Sequence, residues 1–352
     1  MVLHFRQEPS WVVTDLTDFV KEADAKDCKF EDCEYIVTHD GKFHADEVFT
    51  IAWISKFKFT KSMPKIIRTR TCVPKNLDPA KTIVVDVGNG KYDHHNEDDK
   101  NYVPASAKIV GNDLQFEHGR HKRSALGLIY DASIADEILQ KRYGVDIEKV
   151  GKAFELKFIY PLENTDNYGP DEYPNAVSEM IGSFNPISDE FDDEDKQDEL
   201  FMKAVSIASD IIDRWFEWAK NYSKSLEVLD ESELIGPYIL VINSKITVSR
   251  EAITDWNPNI KFIITKSHQG DTWALVSRES KIFKIPKIDS LGTSIQTHCK
   301  FVHGSGFMAV FDSLEHAVAC ACYVMANVNR RREFEVDMFK GLGPESIRSV
   351  MN

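Results

Sequence analysis

TIVVDVG, Thr82–Gly88, is the stretch on which the fold turns. Four consecutive β-branched residues, Thr82 to Val85, stand before Asp86 and Gly88. Such side chains pack well on a pleated surface, and a short unbroken run of them reads as a strand buried on both faces. EYIVTH (Glu34–His39) and PKIIRTR (Pro64–Arg70) are runs of the same kind. Between them, ADEVFTIAWISKF (Ala45–Phe57) spaces its apolar residues as a helix does. SALGLIYDASIADEILQKRYG (Ser124–Gly144) reads as a long amphipathic helix ending at a glycine. Strands alternating with helices predict an α/β fold whose N-terminal part is a doubly wound parallel sheet with helices on both faces.

The pattern continues with helical spacing at Val150–Ile159 and Ala176–Gly182, then the acidic segment SDEFDDEDKQDE (Ser188–Glu199), expected as an exposed loop. A long helix from Leu200 to about Leu226 follows, with Phe201, Trp215, Phe216 and Trp218 at core spacing. From Tyr238 the character changes. YILVI, KFIIT and TWALVS alternate with turn residues and predict a mixed or antiparallel sheet, closed by a helix over Asp312–Val328. The expected organisation is an N-terminal extension over 1–34, a first domain over 35–230 with the acidic loop 188–199, and a smaller C-terminal α/β domain over 231–352.

Hydrophobic residues make up 42% and charged residues 28% of the 352, the composition of a globular protein. No apolar run reaches the roughly 20 residues that span a bilayer. The N-terminus lacks the apolar core of a secretory signal and carries too many acids for a typical transit peptide. The expectation is therefore an intracellular protein of cytoplasm or nucleus, with the mitochondrion open. The cysteines Cys28, Cys33, Cys72, Cys299, Cys320 and Cys322 show no zinc-type C-x-x-C pair and read as reduced thiols. A net charge of −14 argues against a general nucleic-acid coat protein. It leaves room for an enzyme acting on a nucleic-acid end, since bound cations reverse the local field. Two basic clusters keep that open: HGRHKR (His118–Arg123) and Arg330-Arg331-Arg332.

Four short segments place metal-ligand residue types at or just after strand ends, where open α/β sheets bind ligands. THDGKFHADE carries His39, His44 and Asp46; TIVVDV ends at Asp86; YDHHNE carries Asp93, His94 and His95; ENTDNYG carries Asp166 in a turn-forming context. Singly, each has a plain explanation, such as a helix N-terminal carboxylate or a satisfied surface histidine. Together they predict a metal site, because unpaired carboxylates beside a buried strand are expensive.

HDGKFHADE, VVDVG, YDHHNE, SALGLIY and ENTDNYG, in this order, resemble the Asp-His-His phosphoesterase superfamily, and within it the metal-dependent protein hydrolase branch, the melanocyte-proliferating-gene exonuclease family. The likeness runs from about Tyr35 to Val328 and includes SREAITDWNP and FVHGSGFMAVFDSLEHAV. It implies two domains with the active site in the cleft between them, and two divalent cations, Mn²⁺ first, with Mg²⁺ or Zn²⁺ as options. By motif position His39, His44 and Asp86 would bind one ion, and Asp46, Asp86, His94 and Asp166 the other, with Asp86 bridging. Asp86, His94 and His95 would be catalytic, His95 facing the substrate phosphate, and Asp93 would orient its neighbours from behind. One departure is His44, where the broader superfamily has an aspartate with one residue fewer before it.

Physically, two cations about 3.5–4 Å apart can clamp the attacking and leaving oxygens of an in-line displacement. In the C-terminal domain, Gly304, Ser305 and Gly306 of HGSGF would let backbone N–H groups approach a phosphate, with His303 donating and Arg250 as a bidentate clamp. The site predicts metal-dependent phosphodiester hydrolysis, and the family resemblance implies a 3′–5′ exonuclease on RNA or a short oligonucleotide. The alternatives are a small-molecule phosphoesterase or inorganic pyrophosphatase, or a non-catalytic metal-binding regulatory protein. No membrane partner is expected, and the oligomeric state is open, a homodimer included.

Overall fold

A computed structural model describes residues 2–4, 12–57, 63–96, 99–104, 108–110, 113–115, 120–135, 140–141, 144, 147–188, 190, 193–244, 247–267 and 270–332. The chain divides into two compact units, Met1–Lys220 and Asn221–Asn352.

In the first unit, strands β1 (Val2–His4), β3 (Tyr35–Thr38), β4 (Lys65–Arg68) and β6 (Thr82–Val84) form one sheet in the order β1-β4-β3-β6, parallel throughout. Central strand β3 aligns Val37 with Ile67 on one side and with Val84 on the other. Ile36, Val37, Ile66, Ile67, Ile83 and Val84 are all buried, which is why these strands read as unbroken apolar runs rather than alternating ones. Three short antiparallel pairs accompany the sheet: β2 (Val13–Asp15) with β5 (Cys72–Pro74), β7 (Tyr102–Pro104) with β10 (Arg120–Lys122), and β8 (Lys108–Val110) with β9 (Asp113–Gln115).

Helix α1 (Leu16–Lys26) is capped by Asp15, whose side chain accepts from the Thr17 amide. Leu16, Phe19, Val20 and Ala23, spaced as one helical face, pack with Val37, Ile67, Val73 and Val84. This helix, in the segment expected as an N-terminal extension, thus packs into the core. Helix α2 (Ala45–Phe57) is apolar on all sides, and Val48, Phe49, Ile51, Ala52, Trp53 and Ile54 are fully buried. At about 1.5–3 kcal/mol for each large side chain, this helix is a main source of the unit's stability.

Helix α3 covers Ala125–Ala135; the expected helix ran on to Gly144, and residues 136–139 lie outside those described. Helix α4 (Ile147–Phe154) passes through a π-helical turn (Glu155–Ile159) into α5 (Tyr160–Tyr168). Pro161 follows closely on this π-helical turn. Helix α6 spans Ala176–Gly182 and α7 spans Glu194–Asp230. The acidic segment is therefore not wholly a loop: its last residues are the first turns of α7, and Asp193 accepts from the Lys196 amide at 3.0 Å. Carboxylates at a helix N-terminus are favoured by its dipole, so the charge pattern marks a helix start.

The second unit is a six-stranded mixed sheet, ordered β11-β12-β13-β14-β16-β15: β11 Glu233–Ile235, β12 Ile239–Ile242, β13 Phe262–Lys266, β14 Trp273–Ser277, β15 Cys299–Val302 and β16 Met308–Phe311. Only β12 and β13 run parallel, joined by helix α8 (Arg250–Trp256). Short helix α9 (Thr293–Gln296) precedes β15, and α10 (Leu314–Arg332) lays Ala317, Cys320, Ala321 and Val324 into the core with Ile264, Leu275 and Phe311.

Candidate metal centre

Strand β3 ends at Thr38, and the next residue, His39, is buried. The loop Asp40–His44 is held by Arg68, the last residue of β4, which donates to the Gly41 carbonyl at 2.6 Å and lies over the Phe201 ring at 4.4 Å. Asn185 fastens it from the other side, accepting from the Phe43 amide at 2.9 Å and donating to the Phe43 carbonyl at 2.7 Å. Helix α2 then begins, and its consecutive residues Asp46 and Glu47 point about 100° apart around the axis. Both are fully buried.

Beyond β6 the backbone turns sharply. Asp86 takes a left-handed conformation (φ 56°), as do Gly88 (φ 80°) and Asn89 (φ 57°), and the Asp86 amide donates to the Tyr92 carbonyl at 3.0 Å. The turn lies on α1 so closely that a Cβ on Gly88 or Gly90 would meet Val20 at 2.8 or 2.6 Å. Asp24 accepts from the Lys91 amide at 2.8 Å. The N-terminal helix thus helps to shape the loop that returns the chain to Asp93-His94-His95.

These segments converge. His39 Nε2 meets Glu47 and lies 3.3 Å from Asp86 Oδ2. The other Asp86 oxygen, Oδ1, faces His94 Nε2 at 3.2 Å and His95 Nδ1 at 3.5 Å. His94 Nε2 is also 3.2 Å from Asp166 Oδ2 and 3.6 Å from Asp46 Oδ2. His44 Nδ1 is 3.7 Å from Asp166 Oδ1. Three sets of ligand-type groups result, each with atoms within 4.8 Å of one another: His39/Glu47/Asp86, Asp86/His94/His95 and His44/Asp46/Asp166. Asp86 is common to two of them.

The grouping departs from the expected one. His44 precedes α2 on its exposed side and reaches Asp166, while Glu47, absent from the sequence reading, stands beside His39. Asp166 is not in a turn either; it belongs to the last helical turn of α5 before Gly169. Asp93 points away from the convergence. Its Oδ1 accepts from the amide and Nδ1 of His95 at 3.0 and 2.7 Å, and its Oδ2 accepts from the Asn89 amide at 2.7 Å. Asn167 meets His94 Nδ1 at 3.1 Å and donates to the Lys122 carbonyl at 2.9 Å.

The electrostatics of the cluster follow from these contacts. Burial alone would depress His39, but Glu47 and Asp86 outweigh it and carry it up to about 11. His94 is carried up to about 10 against its burial, by Asp86, Asp46 and Asp166. Burial pushes Glu47 up to about 8, against the pull of His39, and raises Asp46 and Asp166 with help from neighbouring carboxylates. Asp86 is held well below the usual carboxylate range despite its burial, through His39 and His94. Both oxygens of Asp46 and Oδ1 of Asp86 are buried without a hydrogen-bond donor in bonding geometry among the described residues. Orphaned buried carboxylate oxygens are expensive unless a cation meets them. Imidazole and carboxylate donors in this mixture therefore fit divalent metal.

Behind the cluster, Glu163 of α5 is fully buried and accepts from the Ser124 amide at 3.0 Å, Arg123 Nη1 at 3.2 Å and His121 Nε2 at 2.7 Å. Arg123 also donates to Asp131 at 2.6 Å and Glu155 at 2.5 Å. The last arginine of the HGRHKR run is therefore an internal brace and not a surface charge; His118 and Gly119 lie outside the described residues. The arginines at 330–332 close α10, with side chains outside those described.

In the second unit, Arg250 and Ser305 line one cavity of about 930 Å³ together with Arg278 and Lys266. Arg278 was not legible as a site residue; it is half-buried and donates to Thr254 and to the Ile260 carbonyl. HGSGF, where the cradle was expected, lies between β15 and β16. It is a strand-to-strand turn in which the Gly306 amide donates to the His303 carbonyl at 2.7 Å and the Ser305 amide to His303 Nδ1 at 3.3 Å, so both amides are spent internally. Gly306 (φ 73°) is needed where a Cβ would lie 2.5 Å from the Ile285 carbonyl oxygen. Gly304 has open space around its Cα and is not part of the cavity lining.

Fold and site define an α/β protein of two compact units, the first holding buried His, Asp and Glu clusters able to bind metal ions. The chain belongs to the family of the MYG1_exonuc model, described as Uncharacterised protein family (UPF0160), which matches residues 35–325. It is similar to the MYG1 protein C694.04c of Schizosaccharomyces pombe, 29% identical over 201 residues, which are 51% of this chain and 56% of that protein. The match thus spans little more than half of that relative's length. The motif likeness to the Asp-His-His phosphoesterase superfamily is corrected by these findings, for the family matched is MYG1 and neither comparison names that superfamily.

Proposed function

We propose that this protein is a metal-dependent phosphodiester hydrolase, acting as a 3′–5′ exonuclease on RNA or short oligonucleotides. The observation that carries the reading is Asp86: its two oxygens face different histidines, His39 on one side and His94 and His95 on the other. A carboxylate so placed would serve two cations, one on each side. The family model's own name, with its "exonuc", supports the choice of substrate class.

His39, Glu47 and Asp86 would hold one ion, and Asp46, Asp86, His94 and Asp166 a second, with His44 at the exposed rim. The mixed donor set suits Mn²⁺, with Mg²⁺ and Zn²⁺ as the ions to compare. When bound, such cations supply Lewis acidity toward water and toward the phosphoryl oxygens. The chain's own residues do the rest. Asp93 fixes the His95 ring through Nδ1, which leaves Nε2 of this half-exposed side chain to donate to a substrate phosphate. Asn167 sets the rotation of His94. In the second unit, Arg250 and Arg278 on one cavity wall suit an anionic group. Six free cysteines accord with a reducing compartment, cytoplasm or nucleus. Among the described residues no helix is long and apolar enough to cross a membrane.

A small-molecule phosphoesterase is the second reading, favoured by the burial of Arg123, which withdraws it from any nucleic-acid surface. Labelled RNA, a dinucleotide and pyrophosphate, each with Mn²⁺, Mg²⁺ or Zn²⁺, separate the two. Shortening of RNA from its 3′ end, lost in Asp86→Ala, is expected. Turnover of the dinucleotide or pyrophosphate alone selects the second reading, and no turnover of any substrate overturns both.

A further inference from the structure

His298, Asp312 and His316 stand together in the second unit and share no residue with the centre described above. His298 lies between α9 and β15, Asp312 directly follows β16, and His316 is in the first turns of α10, so three elements contribute one side chain each. The Asp312 amide donates to the His298 carbonyl at 3.1 Å, which locks two of these backbones together. His298 Nδ1 is 2.9 Å from Asp312 Oδ2 and 3.1 Å from Oδ1. His316 Nδ1 is 3.7 Å from Asp312 Oδ1, and the two imidazoles stack at 3.6 Å with 13° between their planes. Both rings therefore turn the same nitrogen toward one carboxylate.

The spacing decides the ligand class. Three donors sharing an ion at about 2.1 Å are separated by about 3.0 Å on an octahedral edge and about 3.4 Å on a tetrahedral one. The His298–Asp312 and His316–Asp312 edges, 2.9 and 3.7 Å, lie near that interval, and rotation of the stacked rings about their side-chain bonds would turn both nitrogens onto one ion without a change of backbone. The three side chains are 27–42% exposed, open enough for an ion to enter and to keep a water. Two neighbours yield on binding. Ser313 Oγ, 2.7 Å from His316 Nδ1, gives up that nitrogen, and Lys300 Nζ, 3.8 Å from Asp312, swings away on its flexible stem.

We infer that His298, Asp312 and His316 form a second metal site, taking Zn²⁺ or a similar imidazole-preferring ion with a water in the open position. Two imidazoles and one carboxylate favour Zn²⁺ over Mn²⁺ or Mg²⁺, which prefer oxygen donors. The ion clamps the start of edge strand β15 to the start of α10. That edge carries a register shift between Cys299 and Phe301, so its own ladder is weakened there.

The test uses chelator-stripped full-length protein titrated with Zn²⁺ against a chromophoric chelator. The wild type is expected to take up one more equivalent per chain than His298→Gln/His316→Gln, with affinity at the site falling at least 100-fold in either single variant. Zn²⁺ should raise the urea midpoint of the second unit in the wild type and not in the double variant. X-ray absorption of the Zn²⁺-loaded Asp86→Ala variant should show two imidazole nitrogens, a reading that does not depend on the histidine variants folding. Equal Zn²⁺ uptake by wild type and folded double variant overturns the site, as does the absence of imidazole ligation in the Asp86→Ala protein.

Discussion

Gly127 in α3 offers a test in which local and tertiary physics disagree about the sign. In an exposed helix interior, Gly→Ala is stabilising by about 1 kcal/mol, because alanine loses less backbone entropy. Here a Cβ would lie 1.7 Å from Glu163 Oε1 and 2.7 Å from Arg123 Cδ. Glu163 cannot swing into solvent, since it is fully buried and accepts from the Ser124 amide, Arg123 and His121. Disrupting a buried pair of this kind costs about 3–5 kcal/mol, so the net destabilisation is about 2–4 kcal/mol. For a unit of this size that lowers the melting temperature on the order of 10 °C. Because Glu163 and Asp166 share α5, metal affinity should fall as well. Calorimetry of metal-free and Mn²⁺-loaded Gly127→Ala measures both effects. In an Glu163→Asp background, where the carboxylate retracts by one methylene, the alanine should cost less than in the wild type. An unchanged or raised melting temperature, or strict additivity with Glu163→Asp, would refute the packing argument.

Glu47→Gln should destabilise the metal-free protein at pH 7, because it removes the carboxylate that meets His39. It should weaken Mn²⁺ binding by roughly 10–100-fold; titration calorimetry reads this, and unaltered affinity would remove Glu47 from the centre. Asp86→Gly and Asp86→Ala should both lose metal, yet the glycine variant should be the more stable by about 1 kcal/mol in urea, since φ is 56° at this position. The metal-free protein should lose stability as pH rises. His39 and His94 reach about 11 and about 10 when folded against an ordinary 6.5, so their stabilisation is complete below pH 6.5 and disappears toward pH 11. Glu47, also raised, acts with the same sign between its ordinary 4.5 and about 8. Urea midpoints in a chelator from pH 6 to 10 should fall, and added Mn²⁺ should cancel the fall increasingly as pH rises; a flat profile without metal contradicts the charge picture.

Local pattern carried most of the architecture. The β-branched runs at Ile36, Ile66 and Ile83 became three adjacent strands of the first sheet, because a strand buried on both faces has only one kind of side chain to offer. The Ala45–Phe57 helix was legible to its ends, since its apolar content leaves no other way to satisfy its backbone. Leu16, Phe19, Val20 and Ala23 carried the same helical signal, but whether such a face covers a core depends on which residues lie opposite.

The chemistry divided differently. His39, Asp86 and His94 could be named from their places at and after strand ends, because chain direction in a parallel sheet puts those ends together. Which of two adjacent carboxylates serves which histidine could not be read. Asp46 and Glu47 differ only by the helical rotation between neighbours, and only the folded backbone shows that one meets His94 and the other His39. Arg123 looked like surface charge and is an internal brace, because its partners Asp131, Glu155 and Glu163 lie up to 40 residues away. His298, Asp312 and His316 gave no local signal for the same reason: their convergence is made by a strand turn and a helix start. The sequence by itself determined which residue types would need a cation and where strands would deliver them. The tertiary structure alone decided the pairing, because burial and distance, not order along the chain, set the cost of each charge.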